Sequence, residues 1–114
     1  MSGQARLSVR IDLPNGGRFG PGKAALLRAI ASEGSIRKAA AALSMSYPRA
    51  LKLIDEMNGD FSTPLISSSH GGATGGGSSL TAMGEQVLAL YAEITDAASA
   101  ASTKAIGTLC RLQD

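Results

Sequence analysis

The chain has 114 residues, a formal net charge of +2 and 44% hydrophobic residues, with only 4% aromatic residues and no tryptophan. This length suits one domain with an aliphatic core, and it is short for a nucleotide-binding fold built from several βαβ units. No apolar run approaches the ~20 residues of a membrane span, the N-terminus shows no signal-peptide pattern, and a single cysteine, Cys110, excludes an internal disulfide. We therefore expect a cytoplasmic protein without a membrane partner.

The charges are unevenly divided along the chain. Residues 1–52 carry nine basic and two acidic side chains, whereas residues 53–114 carry two basic and seven acidic ones. Such a division favours one surface for a polyanion and another surface for a different contact.

The first predicted element is a strand over residues 5–13. Apolar and polar side chains alternate strictly in this segment, which is typical of a strand with one buried and one solvent-facing side. Residues 14–22 follow as a loop, because they are rich in proline and glycine.

The stretch from Gly17 to Ala24 resembles a phosphate-binding loop that lacks one hydroxyl. It reads glycine, four residues, Gly22, Lys23 and Ala24, whereas the loop pattern requires Ser or Thr after the lysine. Alanine cannot hold Mg²⁺ and no second acidic motif follows, so we interpret the stretch as a strand-to-helix connection. With one histidine, one cysteine and no carboxylate pair at a useful spacing, we expect neither an enzyme nor a metal or cofactor site.

Three helices are predicted over residues 22–60. The first ends at Gly34, the second starts after Ser35 and runs for about two turns, and the third starts after Ser46. The third helix has one aliphatic face, and its opposite face carries Arg49, Lys52 and Glu56.

A hairpin with a glycine-rich tip is predicted over residues 63–80, followed by a long helix over 81–112. At 1.5 Å per residue this helix reaches ~45 Å, more than a domain of this size needs for its own core. Its apolar residues recur in steps of four and three, which is coiled-coil spacing and favours a homodimer, although ordinary core packing is the alternative. The predicted dimer contacts are Val87, Tyr91, Ile94, Ala98 and Ala101.

The order of elements predicts a mainly α fold with a small β-sheet. It is a winged helix-turn-helix in a single domain over residues 1–114, with an N-terminal strand, a glycine-rich wing and a long C-terminal dimerisation helix. In such folds the braced third helix presents its polar face to the major groove. Double-stranded DNA is therefore the expected partner.

Several short motifs carry a family resemblance. The pieces "GSI", "SMSY" and "DEMN", and the glycine-rich wing leading into "SSLTAMG", resemble the N-terminal DNA-binding domain of ModE-type molybdate-responsive regulators over residues 20–95. The helix-turn-helix is also similar to that of LysR-type regulators, whose third helix often opens with Ser-x-Pro, as Ser46-Tyr47-Pro48 does here. Pro48 stands where ModE-type members more often have a basic residue, which removes one expected phosphate contact.

The resemblance implies a transcriptional regulator. Because the chain ends after the long helix, we expect it to lack the molybdate-binding domain of full-length ModE-type regulators. No small-molecule ligand site is evident from the sequence.

Base reading is expected at the start of the third helix, from Tyr47, Arg49 and Lys52. Arg49 suits a bidentate guanine contact, whereas the simpler interpretation of Arg49 and Lys52 is a solvated helix face. Tyr47 has a simpler alternative too, namely packing against the turn. Phosphate contacts are expected near the helix starts and in the loop before the first helix. These residues are Ser35, Arg37, Lys38, Ser46, Arg18 and Lys23.

The predicted wing contains neither lysine nor arginine. His70 and the backbone amides of Gly71 and Gly72 are the expected phosphate contacts there. A lone histidine in such a loop is more often a solvated side chain, and metal binding would need partners that the sequence lacks.

Two other functions stay open at this point. Winged helices also serve as protein-docking modules, and the acidic C-terminal half could supply the contact face. A third hypothesis is an oxyanion-responsive regulator that binds molybdate at a dimer interface, for which we expect no calorimetric signal. Duplex binding that weakens steeply with salt would separate the DNA-binding function from protein docking.

Overall fold

The computed structural model describes residues 4–69 and 77–113. Its elements in chain order are β1 (Ile11–Asp12), β2 (Arg18–Phe19), α1 (Pro21–Glu33), α2 (Ile36–Ala42), α3 (Tyr47–Asp60), β3 (Ile66–Ser69), β4 (Gly77–Leu80) and α4 (Ala82–Arg111). The strands form two separate antiparallel pairs, β1 with β2 and β3 with β4. The predicted fold class, a mainly helical winged helix-turn-helix with a long last helix, is confirmed.

The N-terminal strand is much shorter than the predicted 5–13. Only Ile11 and Asp12 pair, with β2, a strand that the sequence did not predict. Leu7 is 44% exposed, so the alternating pattern does not bury one whole side of the segment. Within the described residues, no strand pairs with the chain before Ile11. The carbonyl oxygen of Val9 instead accepts a hydrogen bond from the Tyr91 hydroxyl.

An asparagine closes the turn between β1 and β2. The side chain of Asn15 accepts a hydrogen bond from the Gly17 amide at 2.9 Å and donates one to the Asp60 carbonyl oxygen at 2.9 Å. The turn is therefore attached to the end of α3, 45 residues further along the chain.

The aliphatic core lies between α1, α2, α3 and the start of α4. Its largest fully buried side chains are Leu26, Leu27, Ile30, Met57 and Leu65. α1 is the central element, packed against α2, α3, α4 and β4. Gly34 ends it in the left-handed conformation, with φ +72° and its amide bonded to the Ile30 carbonyl oxygen at 2.8 Å.

The wing and α4 join the core at one junction. The side chain of Asn58 accepts hydrogen bonds from the amides of Leu65 and Ile66 at 2.8 and 3.2 Å. Thr81 caps α4 by accepting from the Gly84 amide, and its own amide donates to the Leu65 carbonyl oxygen. Gly84 packs so closely on that carbonyl that an added Cβ would overlap it, so the junction requires glycine there.

α4 extends well beyond the core. Its last buried residue is Tyr91, yet the helix continues to Arg111. The molecule is 58 Å long, and its radius of gyration of 16.7 Å exceeds the ~13 Å expected of a compact chain of this length. No helix in the described residues is long and apolar enough to cross a membrane.

Candidate nucleic-acid interface

α2 and α3 are joined by a tight turn. α2 ends at Ala42 with Leu43 as its C-cap, and the amide of Met45 donates to the Ala40 carbonyl oxygen at 2.9 Å. Ser44 lies between them with φ +54°, the left-handed conformation that reverses the chain direction in few residues. The turn and the packing of α2 on α3 together form the helix-turn-helix.

Both helices start at serine caps. Ser35 Oγ accepts from the Lys38 amide at 3.1 Å, and Ser46 Oγ accepts from the Arg49 amide at 3.2 Å. Each cap satisfies one of the amides that a helix start leaves without a partner, and the remaining amides give the helix start a positive potential. Phosphate contacts at Ser35 and Ser46 stay predictions.

α3 presents a basic face to solvent. Arg49 and Lys52 are exposed, while Ala50, Ile54 and Met57 are buried on the opposite side. Neither basic side chain pairs with a carboxylate in the described part of the chain. The face is therefore accessible, and neither cation forms an ion pair within the described residues.

The two helix starts meet through an arginine and a tyrosine. The Arg37 guanidinium carbon lies 4.0 Å above the centre of the Tyr47 ring. Tyr47 is half-buried, whereas Arg37 and Lys38 are exposed. One face of the Tyr47 ring is thus covered by Arg37, and base contact by Tyr47 stays a prediction.

Lys23, a predicted phosphate contact, forms an internal ion pair. Its Nζ lies 3.1 Å from Glu56 and 4.0 Å from Asp60, and it donates to the Arg18 carbonyl oxygen at 2.7 Å. The side chain is only 11% exposed. Its charge is thus balanced inside the protein, while the Arg18 side chain is exposed and stays a candidate for phosphate contact.

The glycines before Lys23 do not form a phosphate site. Gly17 lies against the Asp60 carboxylate, where a Cβ would overlap it. The adjacent crevice of about 480 Å³ contains the carboxylates of Asp60 and Glu56, which repel a phosphate anion. The interpretation of this stretch as a connection rather than a nucleotide loop agrees with that arrangement.

Replacing Lys23 tests this internal role. Lys23→Ala leaves Glu56 and Asp60 close together without a cation, and we expect about 1–3 kcal/mol lower unfolding free energy. The measurement is urea unfolding followed by circular dichroism. Lys52→Ala, which removes an exposed lysine, is the control, with an expected change within about 0.5 kcal/mol. Equal stability of the two variants would contradict the internal ion pair.

The wing is built on serines. Ser68 and Ser78 face each other across β3 and β4 with their hydroxyl oxygens 2.9 Å apart, and the Ser78 amide donates to the Gly34 carbonyl oxygen. The base of the wing is therefore attached to the end of α1. The predicted contacts at His70, Gly71 and Gly72 lie outside the described residues.

Tyr91 belongs to the core of a single chain. It is 6% exposed, its ring packs edge-on against Phe19 with centroids 5.1 Å apart, and its hydroxyl donates to the Val9 carbonyl oxygen. Burial raises the pKa of the Tyr91 phenol, and the positive charge of Arg28 partly offsets this rise. Little of its side chain is left for a partner, so Tyr91 is a poor candidate for the dimer contact assigned to it from the sequence.

The outer half of α4 carries an exposed apolar stripe, here called the α4 stripe. Ile94 and Ala101 are exposed as a dimer seam requires, while Val87 and Ala98 are half-buried. The exposed Leu90 and Leu109, beside the same face, lie outside the four-three spacing predicted from the sequence. The α4 stripe comprises Leu90, Ile94, Ala101, Ala105, Leu109 and Leu112.

The N-terminal segment lies along α4. Val9 meets Tyr91 at one end, and Gln4 and Ala5 share a crevice with Leu109, Cys110 and Leu112 at the other. Leu109 and Leu112 are nevertheless 66% and 75% exposed, so most of their surface stays free for a partner.

These features define a class of protein. A helix-turn-helix with capped helix starts, a basic exposed face on its second helix, a wing and a long last helix is a winged helix-turn-helix domain of the regulatory type. The model of the bacterial regulatory helix-turn-helix proteins of the LysR family matches residues 23–85. The chain belongs to this family.

Individual relatives agree with the resemblance to ModE-type regulators. The molybdenum-pterin-binding protein MopB of Rhodobacter capsulatus is 39% identical over 79 residues, which are 69% of this chain and 29% of MopB. The molybdenum transport protein ModE of Azotobacter vinelandii is 39% identical over 87 residues, 76% of this chain and 32% of that protein. The DNA-binding transcriptional dual regulator ModE of Escherichia coli K12 is 34% identical over 88 residues, 77% of this chain and 34% of that protein. The chain thus matches about a third of each relative's length.

Proposed function

We propose that this protein is a sequence-specific transcriptional regulator that binds double-stranded DNA as a homodimer. The observation that carries the proposal is the exposed basic face of α3, which starts at the Ser46 cap and bears Arg49 and Lys52 without a carboxylate partner in the described residues. A helix of this kind fits the major groove, where arginine can donate two hydrogen bonds to guanine.

The surrounding groups supply affinity rather than sequence preference. The starts of α2 and α3, capped by Ser35 and Ser46, and the exposed side chains of Lys38 and Arg18 are suited to backbone phosphates. Contacts of this type release counterions, so the affinity depends strongly on salt. Lys23 is left out of this set because of its internal ion pair.

Two substitutions separate base reading from phosphate binding. We expect Arg49→Ala to reduce discrimination between a selected duplex and a scrambled one by about 1–3 kcal/mol, because a base contact is lost. Lys38→Ala should weaken binding to both duplexes alike and reduce the salt slope by about 1. The measurement is fluorescence anisotropy across a salt series, with the selected duplex obtained from a random-duplex library.

The wild-type protein supplies the decisive comparison. Affinity that falls steeply with salt and depends on both side chains supports the proposal. If duplex affinity changes neither with salt nor on substitution of Arg49 or Lys38, the result would instead favour a protein-docking module, which is the alternative function for this fold.

The dimer part of the proposal rests on the α4 stripe. Ile94 is 42% exposed and Leu112 is 75% exposed. Exposed apolar side chains of this kind add little to the stability of a helix that extends alone into water. A second copy of the same helix would bury both. The self-complementary contact that a two-fold dimer requires is available on this face.

Charge placement favours an antiparallel helix pair. Glu93 and Lys104 are separated by about three helical turns, so they lie on the same flank of the α4 stripe. In an antiparallel pair, each flank of one helix faces the same flank of the partner helix. In a parallel pair, it faces the other flank of the partner helix. Antiparallel pairing would therefore bring Glu93 of one protomer near Lys104 of its partner, and this ion pair would occur twice.

The Glu93–Lys104 pair is centred between Ala98 and Ser99, and a crossing point one residue further along brings apolar residues together. If the helices cross between Ser99 and Ala100, Leu90 of one protomer lies opposite Leu109 of the partner, and Ile94 lies opposite Ala105. An apolar groove of about 180 Å³ adjoins Leu90 and Ile94 in each protomer, and the partner's leucine would fill it. A two-fold dimer then presents two copies of α3 to a palindrome, with half-sites about 34 Å apart or a multiple of that distance.

A further inference from the structure

The stacked pair of Arg37 and Tyr47 lies where the starts of α2 and α3 adjoin. We propose that Tyr47 is a positioning residue, which acts by holding the Arg37 guanidinium ready for a DNA backbone phosphate. This inference rests on the proposed function, since the anion that Arg37 would meet belongs to duplex DNA. It replaces base reading by Tyr47 with an indirect role.

The contact with the ring uses the charge of the guanidinium rather than its hydrogen bonds. The guanidinium carbon lies 4.0 Å from the centre of the Tyr47 ring, a cation–π distance, and arginine carries five N–H donors in a planar fork. A planar fork of this kind matches the oxygens of a phosphate group. The aromatic ring thus limits the motion of Arg37 without occupying its donors.

The charge of Arg37 is also kept available for an anion. No carboxylate in the described residues forms an ion pair with Arg37. Arg37 lies in the first turn of α2, close to the first residue of α3, and the start of α3 is positive. The guanidinium and the start of α3 therefore place positive potential at one exposed spot, which favours binding of a phosphate.

Tyr47 is poorly placed to read bases itself. Its side chain is half-buried, and one face of its ring is covered by the guanidinium. No hydrogen bond of its hydroxyl to another described residue is present, so the ring rather than the hydroxyl makes the contact with Arg37. Phenylalanine at this position should therefore be equivalent to tyrosine.

The test is a double-mutant cycle on duplex affinity with Arg37→Ala, Tyr47→Leu and the combined variant, plus Tyr47→Phe. We expect Tyr47→Leu to weaken binding about two- to fivefold, the range of an exposed cation–π contact, and Tyr47→Phe to bind like the wild type. Arg37→Ala should weaken binding about tenfold, and the combined variant should bind no more weakly than Arg37→Ala alone. Selected and scrambled duplexes should be affected equally.

The opposite outcomes overturn the inference. Additive effects of the two substitutions, or a loss of sequence discrimination in Tyr47→Phe, would show that Tyr47 contacts DNA independently of Arg37. In either case the wild type still binds duplex, so the proposed function survives. If the wild type binds no duplex, both the proposed function and this inference fail. Circular dichroism of each variant excludes unfolding as the cause of weaker binding.

Discussion

Ile94→Asp should convert the dimer into a monomer and weaken binding to a palindromic duplex. Each proposed dimer would contain two copies of Ile94, and fully burying an exposed isoleucine side chain contributes about 1.5–3 kcal/mol. Because only 42% of the Ile94 side chain is exposed in the single chain, the proposed dimer should lose roughly 1–3 kcal/mol, which raises its dissociation constant about 10- to 10²-fold. Sedimentation velocity over a concentration series measures the dimer, and anisotropy with palindromic and half-site duplexes measures DNA binding.

Ala92→Asp is the matched control for this change. Ala92 is exposed and lies on the side of α4 opposite to Ile94, so the same new charge there should leave the dimer intact. If Ile94→Asp stays dimeric while half-site binding is unchanged, the α4 stripe is not the seam.

The orientation of the helices can be tested separately. Glu93→Lys and Lys104→Glu should each weaken the dimer, because each places like charges opposite one another at two positions, at a cost of about 0.2–1 kcal/mol per pair. The double reversal should restore it. Absence of restoration would argue against the antiparallel arrangement, since only that arrangement places these two side chains together.

Gly84→Ala should destabilise the fold by about 3 kcal/mol, at the upper end of the range for overpacking. The added Cβ would overlap the Leu65 carbonyl oxygen. That carbonyl cannot easily move, because it accepts from the Thr81 amide while Asn58 holds the Leu65 amide. Relief of the overlap would therefore separate the wing from the start of α4.

Gly107→Ala supplies the control for this prediction. The atom nearest to a Cβ added at Gly107 belongs to the Arg111 side chain and lies 3.8 Å away, so the methyl group fits. Because alanine has the higher helix propensity, the free energy of unfolding should rise by about 0.5–1 kcal/mol. Urea unfolding at one fixed protein concentration measures both variants, since dimerisation links stability to concentration. A Gly84→Ala variant as stable as the parent would exclude the close contact.

Much of the helical architecture could be predicted because its signals are local. Ser35, Ser46 and Thr81 each accept a hydrogen bond from an amide three residues ahead, and Gly34 adopts the left-handed conformation that ends a helix. Such contacts form between residues that are close in the sequence, so they can be predicted from the sequence alone. The free face of α3 with Arg49 follows from helical periodicity in the same way.

The sequence did not reveal contacts between residues that are far apart in the chain. The glycine-rich context of Lys23 predicts a phosphate contact, and the structure adds an internal ion pair of Lys23 with Glu56 and Asp60. Tyr91 fits a coiled-coil step, yet its hydroxyl bonds to the Val9 carbonyl oxygen, 82 residues away in the chain. No local pattern encodes such partners, because the free energy of each contact depends on which elements pack together.

The sequence by itself therefore determined the helices, their caps and the basic, solvent-facing side of α3, since these depend on neighbours within a few residues. Only the tertiary structure decided that Lys23 is neutralised internally, that Arg37 stacks on Tyr47, and that Ile94 rather than Tyr91 is exposed on α4. The physical reason is that burial and charge pairing are properties of packed elements. They become defined only when α1, α3, α4 and the N-terminal segment meet.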